Sequence, residues 1–481
     1  MNERRVARRA VLTAAAATVV TPAAIAAPAR EILNDASRLN PTPVARHLRL
    51  KSDRRGAWIE TIRAELKDAA QSRRRVAVGA ARHSMGGQSL PRDGLALTFE
   101  DHWLEPNTAT GVFRVSAGAP WAWVISRLDP LGFSPKVMQS NNNFGVASTF
   151  CVNAHGWPAP FGPFGSTVRS IRMLLADKSL VECSRTANAE LFALAMGGYG
   201  LFGVIVDLDV EMVRNAMLRP QAVTMRGEDF AKAFLTAVEG DKTVAMAYGR
   251  LSVTRATFFR DAILTTYRAV DPQPVPLPAA VDHGAMTSLS NRLYRKQIGS
   301  ETAKDIRWAA ETKLAPSLAS GLATRNTLMN EPVSNLANTL PRRTDILHEY
   351  FIPPHRFQDF LTACREVIPP AKSEFINVTL RYVAADDTST LAFAPEKRIA
   401  AVMSFSQDIS PGGEEDMIRT TEALIERIVA IGGAFYLPYR LHARRDQIEK
   451  AYPKTTYFVE RKHRYDPGLL FRNTMWDTYF A

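Results

Sequence analysis

The chain has 481 residues, 46% hydrophobic and 22% charged, with 60 Lys and Arg against 48 Asp and Glu for a formal net charge of +12. This is ordinary globular composition, with material for two or three domains and no difficulty in burying a core. Its three cysteines, Cys151, Cys183 and Cys364, are odd in number and lack Cys-x-x-Cys spacing, so neither a disulfide framework nor a metal site is expected.

The first segment stands apart. Arg4, Arg5, Arg8 and Arg9 precede an alanine- and valine-rich run over residues 10–20, and Ala24-Ile25-Ala26 ends it with small residues in cleavage-site spacing. A positive start, a short apolar centre and a small-x-small end make residues 1–26 an export signal of twin-arginine type, which places the mature protein in the periplasm or outside the cell. About eleven strongly apolar residues fall short of the roughly 20 that span a bilayer, and no later segment is long and apolar enough, so no membrane span is expected in the mature chain. Loss of the signal leaves a charge of about +9. That charge is dispersed apart from short runs such as Arg73-Arg74-Arg75, no nucleic-acid-binding signature accompanies it, and no nucleic-acid partner is expected.

Next in the chain, Val76-Ala77-Val78 reads as a strand running into a small-residue turn, Gly79-Ala80-Ala81-Arg82-His83-Ser84-Met85-Gly86-Gly87. Glycine and alanine around His83 let backbone amides approach an anionic group closely, with an imidazole at the crest. Taken alone, His83 also fits a hydrogen-bonded structural histidine. A second small-residue stretch, residues 145–156, contains Gly145, Ser148, His155 and Gly156, and residues 164–181 read as two β-rich runs joined by an Asp-Lys-Ser turn. Residues 189–196 have helical spacing; Gly198, Gly200 and Gly203 then precede the strand-like run starting at Val204. The three glycines spell Gly-x-Gly-x-x-Gly, but a dinucleotide site needs strand, glycines, then helix, and here the helix comes first, so no NAD is expected.

A second region is expected over residues 216–430. It contains β-like runs at 244–253 and 375–383 and an amphipathic helix over 414–431. Between the first of these and the helical segments that follow it, Asp271-Pro272-Gln273-Pro274-Val275-Pro276-Leu277-Pro278 reads as a stiff extended linker.

The succession of the His83 turn, the 145–156 stretch, the 164–181 runs and the 198–204 glycines, with a closing Lys462-His463-Arg464-Tyr465-Asp466-Pro467, resembles the vanillyl-alcohol oxidase, or PCMH-type, flavoproteins. The resemblance implies an α+β, two-domain fold: an FAD-binding domain over residues 45–215, a substrate cap domain over 216–430, and a return to the FAD-binding domain over 431–481. It implies FAD held by Gly79, Ala81, Arg82, His83, Ser84, Met85, Gly86, Gly145, Ser148, His155, Gly156, Gly165, Gly198, Gly203 and Val204, with a covalent flavin bond to His83. A second, cysteinyl bond is not expected, since Asn141 stands at the matching place and Cys151 lies about ten residues too late.

On the resemblance, substrate is a small or medium-sized molecule losing hydride from a C–OH carbon, and oxygen or a respiratory acceptor reoxidises the flavin. Sugar-alcohol and aldonolactone oxidases of the family use a Glu-x-Arg and a lysine; here Arg381 matches the arginine, but Thr379 stands in place of the glutamate and His442 in place of the lysine. His442 is therefore the expected base, with Arg381 and Arg440 as the expected cations. Two alternatives stay open: a dehydrogenase similar to decaprenylphosphoryl-ribose oxidase that makes no peroxide, and a flavin- or ligand-holding protein without turnover.

Overall fold

The computed structural model describes residues 30–51, 56–100, 102–282, 294–314, 321–332 and 340–481; the expected export signal lies outside them. Strands Arg46–Leu50, Leu95–Phe99 and Val76–Val78 form a small parallel sheet, in that spatial order. Helix Ala57–Gln71 crosses over between the two outer strands, Arg46–Leu50 and Val76–Val78, burying Trp58, Ile59, Ile62, Leu66 and Ala69 at three- and four-residue spacing.

A second sheet is antiparallel, in the order Leu180–Ser184, Val168–Leu174, Val204–Arg214, Val112–Ser116, Leu104–Asn107, with Phe133–Pro135 paired to the end of the central strand. The Asp-Lys-Ser turn closes its first hairpin, where Lys178 has φ 73° and the Asp177 carboxylate accepts from the Ser179 amide at 2.9 Å. Asp207 in the central strand is buried but accepts from Arg114 and Arg172 on the two flanking strands, at 2.8 and 3.0 Å, so its charge is matched.

The largest sheet has eight antiparallel strands: Ala323–Thr324, Met217–Arg226, Asp261–Ala269, Val244–Leu251, Glu374–Val383, Arg398–Asp408, Arg343–Ile352 and Ala434–Phe435. Helices Phe230–Gly240, Phe357–Val367 and Pro411–Ala430 pack on it and on one another. The last begins three residues before the position its periodicity gives, because Ser410 caps it by accepting from the Gly413 amide at 3.1 Å and Pro411 suits its first turn.

Side chains alternate across a strand, so one contact fixes which face is which. A Cβ on Gly249 would lie 2.1 Å from the Phe230 ring, so Gly249 and its partner Leu380 look toward the helices. Arg250, Thr379 and Arg381 therefore look the other way. Register extends this row across the sheet: Arg250 lies opposite Thr379, Thr379 opposite Val402, and Val402 opposite Glu349.

The end of the chain comes back to the small parallel sheet, where the Val76 amide donates to Leu470 O at 2.7 Å and Val76 bridges Phe471. One continuous hydrophobic cluster joins the three sheets and their helices. No helix of the described residues is long and apolar enough to cross a membrane, and no group of three or more His, Cys, Asp or Glu among them could hold a metal ion.

Candidate functional site

A cavity lies where the small-residue turns meet the face of the large sheet that is turned away from its helices. Gly79, Ala80, Ala81, Arg82, His83 and Ser84 form one side, and Gln139, Ser140, Phe144, Gly145, Ser148 and Thr149 the next. Tyr199, Gly200, Gly203 and Ile205 continue the wall from the glycine turn. Leu347, Glu349, Arg381 and Val402 from the large sheet face them, with Tyr436, Pro438 and Tyr439 at one end.

Local backbone explains the shape of the first walls. Arg82 sits at φ 53°, a left-handed turn, and its guanidinium is drawn aside to Thr98 Oγ1 at 2.8 Å. This leaves the His83 ring on the cavity, tilted at 37° against Phe144 with centroids 4.4 Å apart. Gly200, at φ 73°, would carry a Cβ with no protein atom within 4 Å, so the cavity comes right up to its backbone.

Buried polar atoms ordinarily have partners, and each exception calls for a cause. Six exceptions meet on this one cavity: Arg82 Nε, His83 Nε2, Ser89 Oγ, Ser140 Oγ, His155 Nδ1 and Arg381 Nε are all buried without a partner among the described residues. Such a set fits a large polar group seated in the cavity. Burial lowers the His83 pKa, so its imidazole is held neutral with Nε2 open. Burial raises the Cys151 thiol to about 12, and although Cys151 lines the cavity it is no thiolate there.

On the facing wall, Glu349 is buried and both its oxygens are used: Oε1 bonds His155 Nε2 and Oε2 accepts from the Tyr439 hydroxyl at 3.2 Å. Arg381 Nη1 donates to His155 O at 3.2 Å. Its pKa is lowered, by burial first and against the opposing charge of Glu349. Tyr439 is pushed well above the ordinary phenol value by burial and by Glu349, so it stays a donor.

Of the residues expected from sequence to hold flavin, Gly79, Ala81, Arg82, His83, Ser84, Gly145, Ser148, His155 and Gly203 line the cavity, and Arg381 does so among the expected catalytic ones. Six others are off the wall for packing reasons. Met85 fastens the His83 turn, its amide donating to Pro438 O at 2.8 Å and its carbonyl accepting from Asn40 at 3.0 Å. A Cβ on Gly86 would lie 2.6 Å from Tyr439 O, one on Gly156 1.9 Å from Met138 O, one on Gly165 2.4 Å from Met196 Sδ, and one on Gly198 2.0 Å from Leu194 O. These four glycines permit close backbone approach rather than ligand contact. Val204 is a buried strand residue paired with Leu174.

His442 and Arg440 require a correction, since neither lines the cavity. Both ring nitrogens of His442 are occupied, Nε2 by Glu414 at 3.0 Å and Nδ1 by Thr421 at 3.3 Å, and burial lowers its pKa. Arg440 pairs with the same Glu414 and donates to Met85 O at 3.2 Å. They tie helix Pro411–Ala430 to the back of the His83 turn, away from the cavity lining. Sequence reasoning missed Glu349 and Tyr439; the signal for the first was a carboxylate beside His348 in a mainly apolar run, Ile346-Leu347 before the pair and Tyr350-Phe351-Ile352 after it.

Residues 57–184 match the family described as FAD binding domain. The chain carries an FAD-binding domain of the vanillyl-alcohol oxidase, or PCMH-type, flavoprotein family. Among curated proteins it is similar to the mitochondrial L-galactono-1,4-lactone dehydrogenase of Brassica oleracea, at 24% identity over 39% of this chain and 31% of that one. It is also similar to cytokinin dehydrogenase 9 of Oryza sativa subsp. japonica, at 28% identity over 26% of this chain and 25% of that one. An uncharacterized oxidoreductase of the fasciation locus of Rhodococcoides fascians is 28% identical over 28% of this chain and 32% of that one. The matched stretch spans about a third or less of each of these relatives.

Proposed function

We propose that this chain is an FAD-dependent oxidoreductase that removes hydride from a C–OH carbon of a small or medium-sized molecule. The observation that carries the reading is the meeting of six unpartnered buried polar atoms on one cavity, between a turn built for close backbone approach and a wall that presents Arg381, Glu349 and Tyr439. In this reading residues 45–215 and 431–481 hold the cofactor, and residues 216–430 cap it and shape the substrate pocket. FAD, when bound, supplies a two-electron acceptor for hydride.

The chain's own residues do the rest. Backbone amides of the 79–84 turn and the 199–203 turn receive the anionic parts of the cofactor, and the facing sheet excludes water from the reacting side. Arg381, a cation kept from water, stabilises negative charge developing on the substrate oxygen. His83 is read as the single point of covalent flavin attachment, supported by its neutral, unpartnered Nε2; Cys151 and Asn141 offer no second bond. Oxygen or a respiratory acceptor would take the electrons on. The dehydrogenase names of two relatives favour a second reading, in which no peroxide is made. Residues 1–26 are read as a twin-arginine-type signal, with a periplasmic or secreted destination.

The test is an absorption spectrum of the purified protein before and after acid precipitation, followed by anaerobic mixing with a panel of alcohols, polyols and lactols. Flavin bands that stay with the pellet and leave it in His83→Ala, and bleaching by at least one hydroxyl compound, are the expected results. Flavin released to the supernatant would remove the covalent bond alone. Flavin that no member of the panel bleaches would leave a holding protein without turnover on alcohols.

A further inference from the structure

We propose that His155 is the base that takes the substrate's hydroxyl proton, at Nδ1, and that Glu349 is its positioning residue. The inference rests on the reading of the cavity as a site of alcohol oxidation, and it replaces the base that the sequence placed at residue 442.

Geometry carries it. His155 is 3% exposed, lines the cavity, and is boxed by the rings of Phe351, Phe393 and Tyr436 at 5.5, 6.0 and 6.3 Å. Its Nε2 bonds a Glu349 oxygen, while its Nδ1 is buried with no partner among the described residues. A carboxylate can only accept, so it fixes the ring proton on Nε2 and leaves the Nδ1 lone pair open. That is the arrangement in which a carboxylate orients an imidazole base and steadies the imidazolium it becomes. Glu349 itself is occupied at both oxygens, and Tyr439 is held protonated by burial and by Glu349. Nδ1 is thus the open basic nitrogen at the end of the His155–Glu349–Tyr439 chain.

Arg381 completes the pair of functions, because it holds His155 O through Nη1 and leaves Nε unpartnered on the same cavity. The sheet also accounts for the missing glutamate at position 379: Thr379, Val402 and Glu349 form one cross-strand row, so the carboxylate stands two strands away on the same face. In the step, the substrate O–H bond breaks and its proton joins Nδ1. The carbon's hydrogen leaves with its electron pair to the oxidised flavin, the C=O bond forms, and the alcohol is oxidised as the flavin is reduced. The imidazolium then faces Glu349 and releases its proton to solvent after the carbonyl product has left.

The groups facing the dyad are Arg381, Tyr436, Tyr439, Tyr199 and Tyr452, none of which shares its open nitrogen. The experiment compares wild type, His155→Gln and Glu349→Gln. With an alcohol that bleaches the wild-type flavin, anaerobic reduction in H155Q is expected to slow about 100-fold or more with the flavin spectrum retained. In E349Q the carboxylate no longer favours the imidazolium, so the ascending limb of rate against pH is expected to move down by about one unit. A readout without turnover is the flavin's reduction potential against pH, in which a break present in wild type is expected to vanish in H155Q. Reduction in H155Q within about threefold of wild type, a fixed limb in E349Q, or an unchanged break would each overturn the assignment. If H155Q holds no flavin, the E349Q limb decides. Wild-type flavin that no alcohol bleaches would instead bring down the alcohol reading on which the assignment stands.

Discussion

His442 and Glu349 illustrate how a residue's partners, rather than its type, decide what it can do. Histidine between two acceptors or donors on a packed helix is a fastening, and His442 has Glu414 and Thr421 filling its ring. This fastening has a measurable pH dependence. Burial works to raise the Glu414 pKa, but bonds from His442, Arg440 and Gln407 outweigh it and pull the carboxyl from 4.5 down to about 2. An acid whose folded pKa is depressed contributes stability that is complete above its unfolded value and is lost as pH falls through the folded one. Stability is therefore expected to decline between pH 4.5 and about 2 by something on the order of 1 kcal/mol more in wild type than in Glu414→Gln, allowing for partial exposure of the carboxyl. Urea midpoints measured across that range in both proteins check it, and parallel curves would remove the claim.

At the scale of elements, the sequence was most legible where function is local. The strand, turn and histidine of residues 76–84 lie within nine positions, and the turn's left-handed Arg82 and open His83 follow from small residues at its shoulders. Strand Glu374–Val383 was legible from β-branched and aromatic spacing, and Arg381 with it. The dyad was not legible, because its members come from segments 194 and 90 residues apart and only the register of Arg343–Ile352 against Arg398–Asp408 brings Glu349 onto the cavity face. Periodicity cannot state a register between strands separated by a helix.

The closing segment is another element whose role becomes clear only in three dimensions. Lys462 on helix Thr455–Tyr465 is fully buried, and its Nζ donates to Leu201 O at 2.6 Å, to Phe471 O at 2.7 Å and to Asp466. Asp466 in turn accepts from the Leu470 and Phe471 amides at 2.9 and 2.8 Å. One ammonium thus pins the glycine turn of residues 198–203 to the strand-like return beside Val76. Replacing it with methionine leaves the Asp466 charge buried without its counter-ion, which costs about 3–5 kcal/mol. Lys462→Met is expected to lower the denaturant midpoint accordingly, and Lys462→Met with Asp466→Asn to recover a large part of the loss; equal midpoints for the single and double variants would refute the pairing argument.

For the whole molecule, the question is whether the sheets melt as one. Asn153, beside the cavity, donates to Asp386 at 2.8 Å and accepts from the Gly165 amide at 2.9 Å, so a single side chain ties the loop beyond Glu374–Val383 to the segment leading into Val168–Leu174. Thr344 on the large sheet donates to Ser37 O at 2.6 Å, adding a second tie across the same boundary. The hydrophobic cluster runs through that boundary without a break, so separating the parts would expose core as well as polar atoms. A chain joined in this way should unfold in one transition, monitored alike by circular dichroism and by flavin fluorescence. FAD seated in the cavity would add to that coupling, since residues of both parts line it and carry unpartnered polar atoms, and ligand that binds only the folded state raises its stability with concentration. Heating the protein stripped of flavin, or His83→Ala without added FAD, is therefore expected to give a lower midpoint that climbs as FAD is titrated back, still with a single transition. Two separated transitions, with flavin fluorescence rising in the first and circular dichroism falling mainly in the second, would mean that the polar ties and the shared core are too weak to make the parts one cooperative unit.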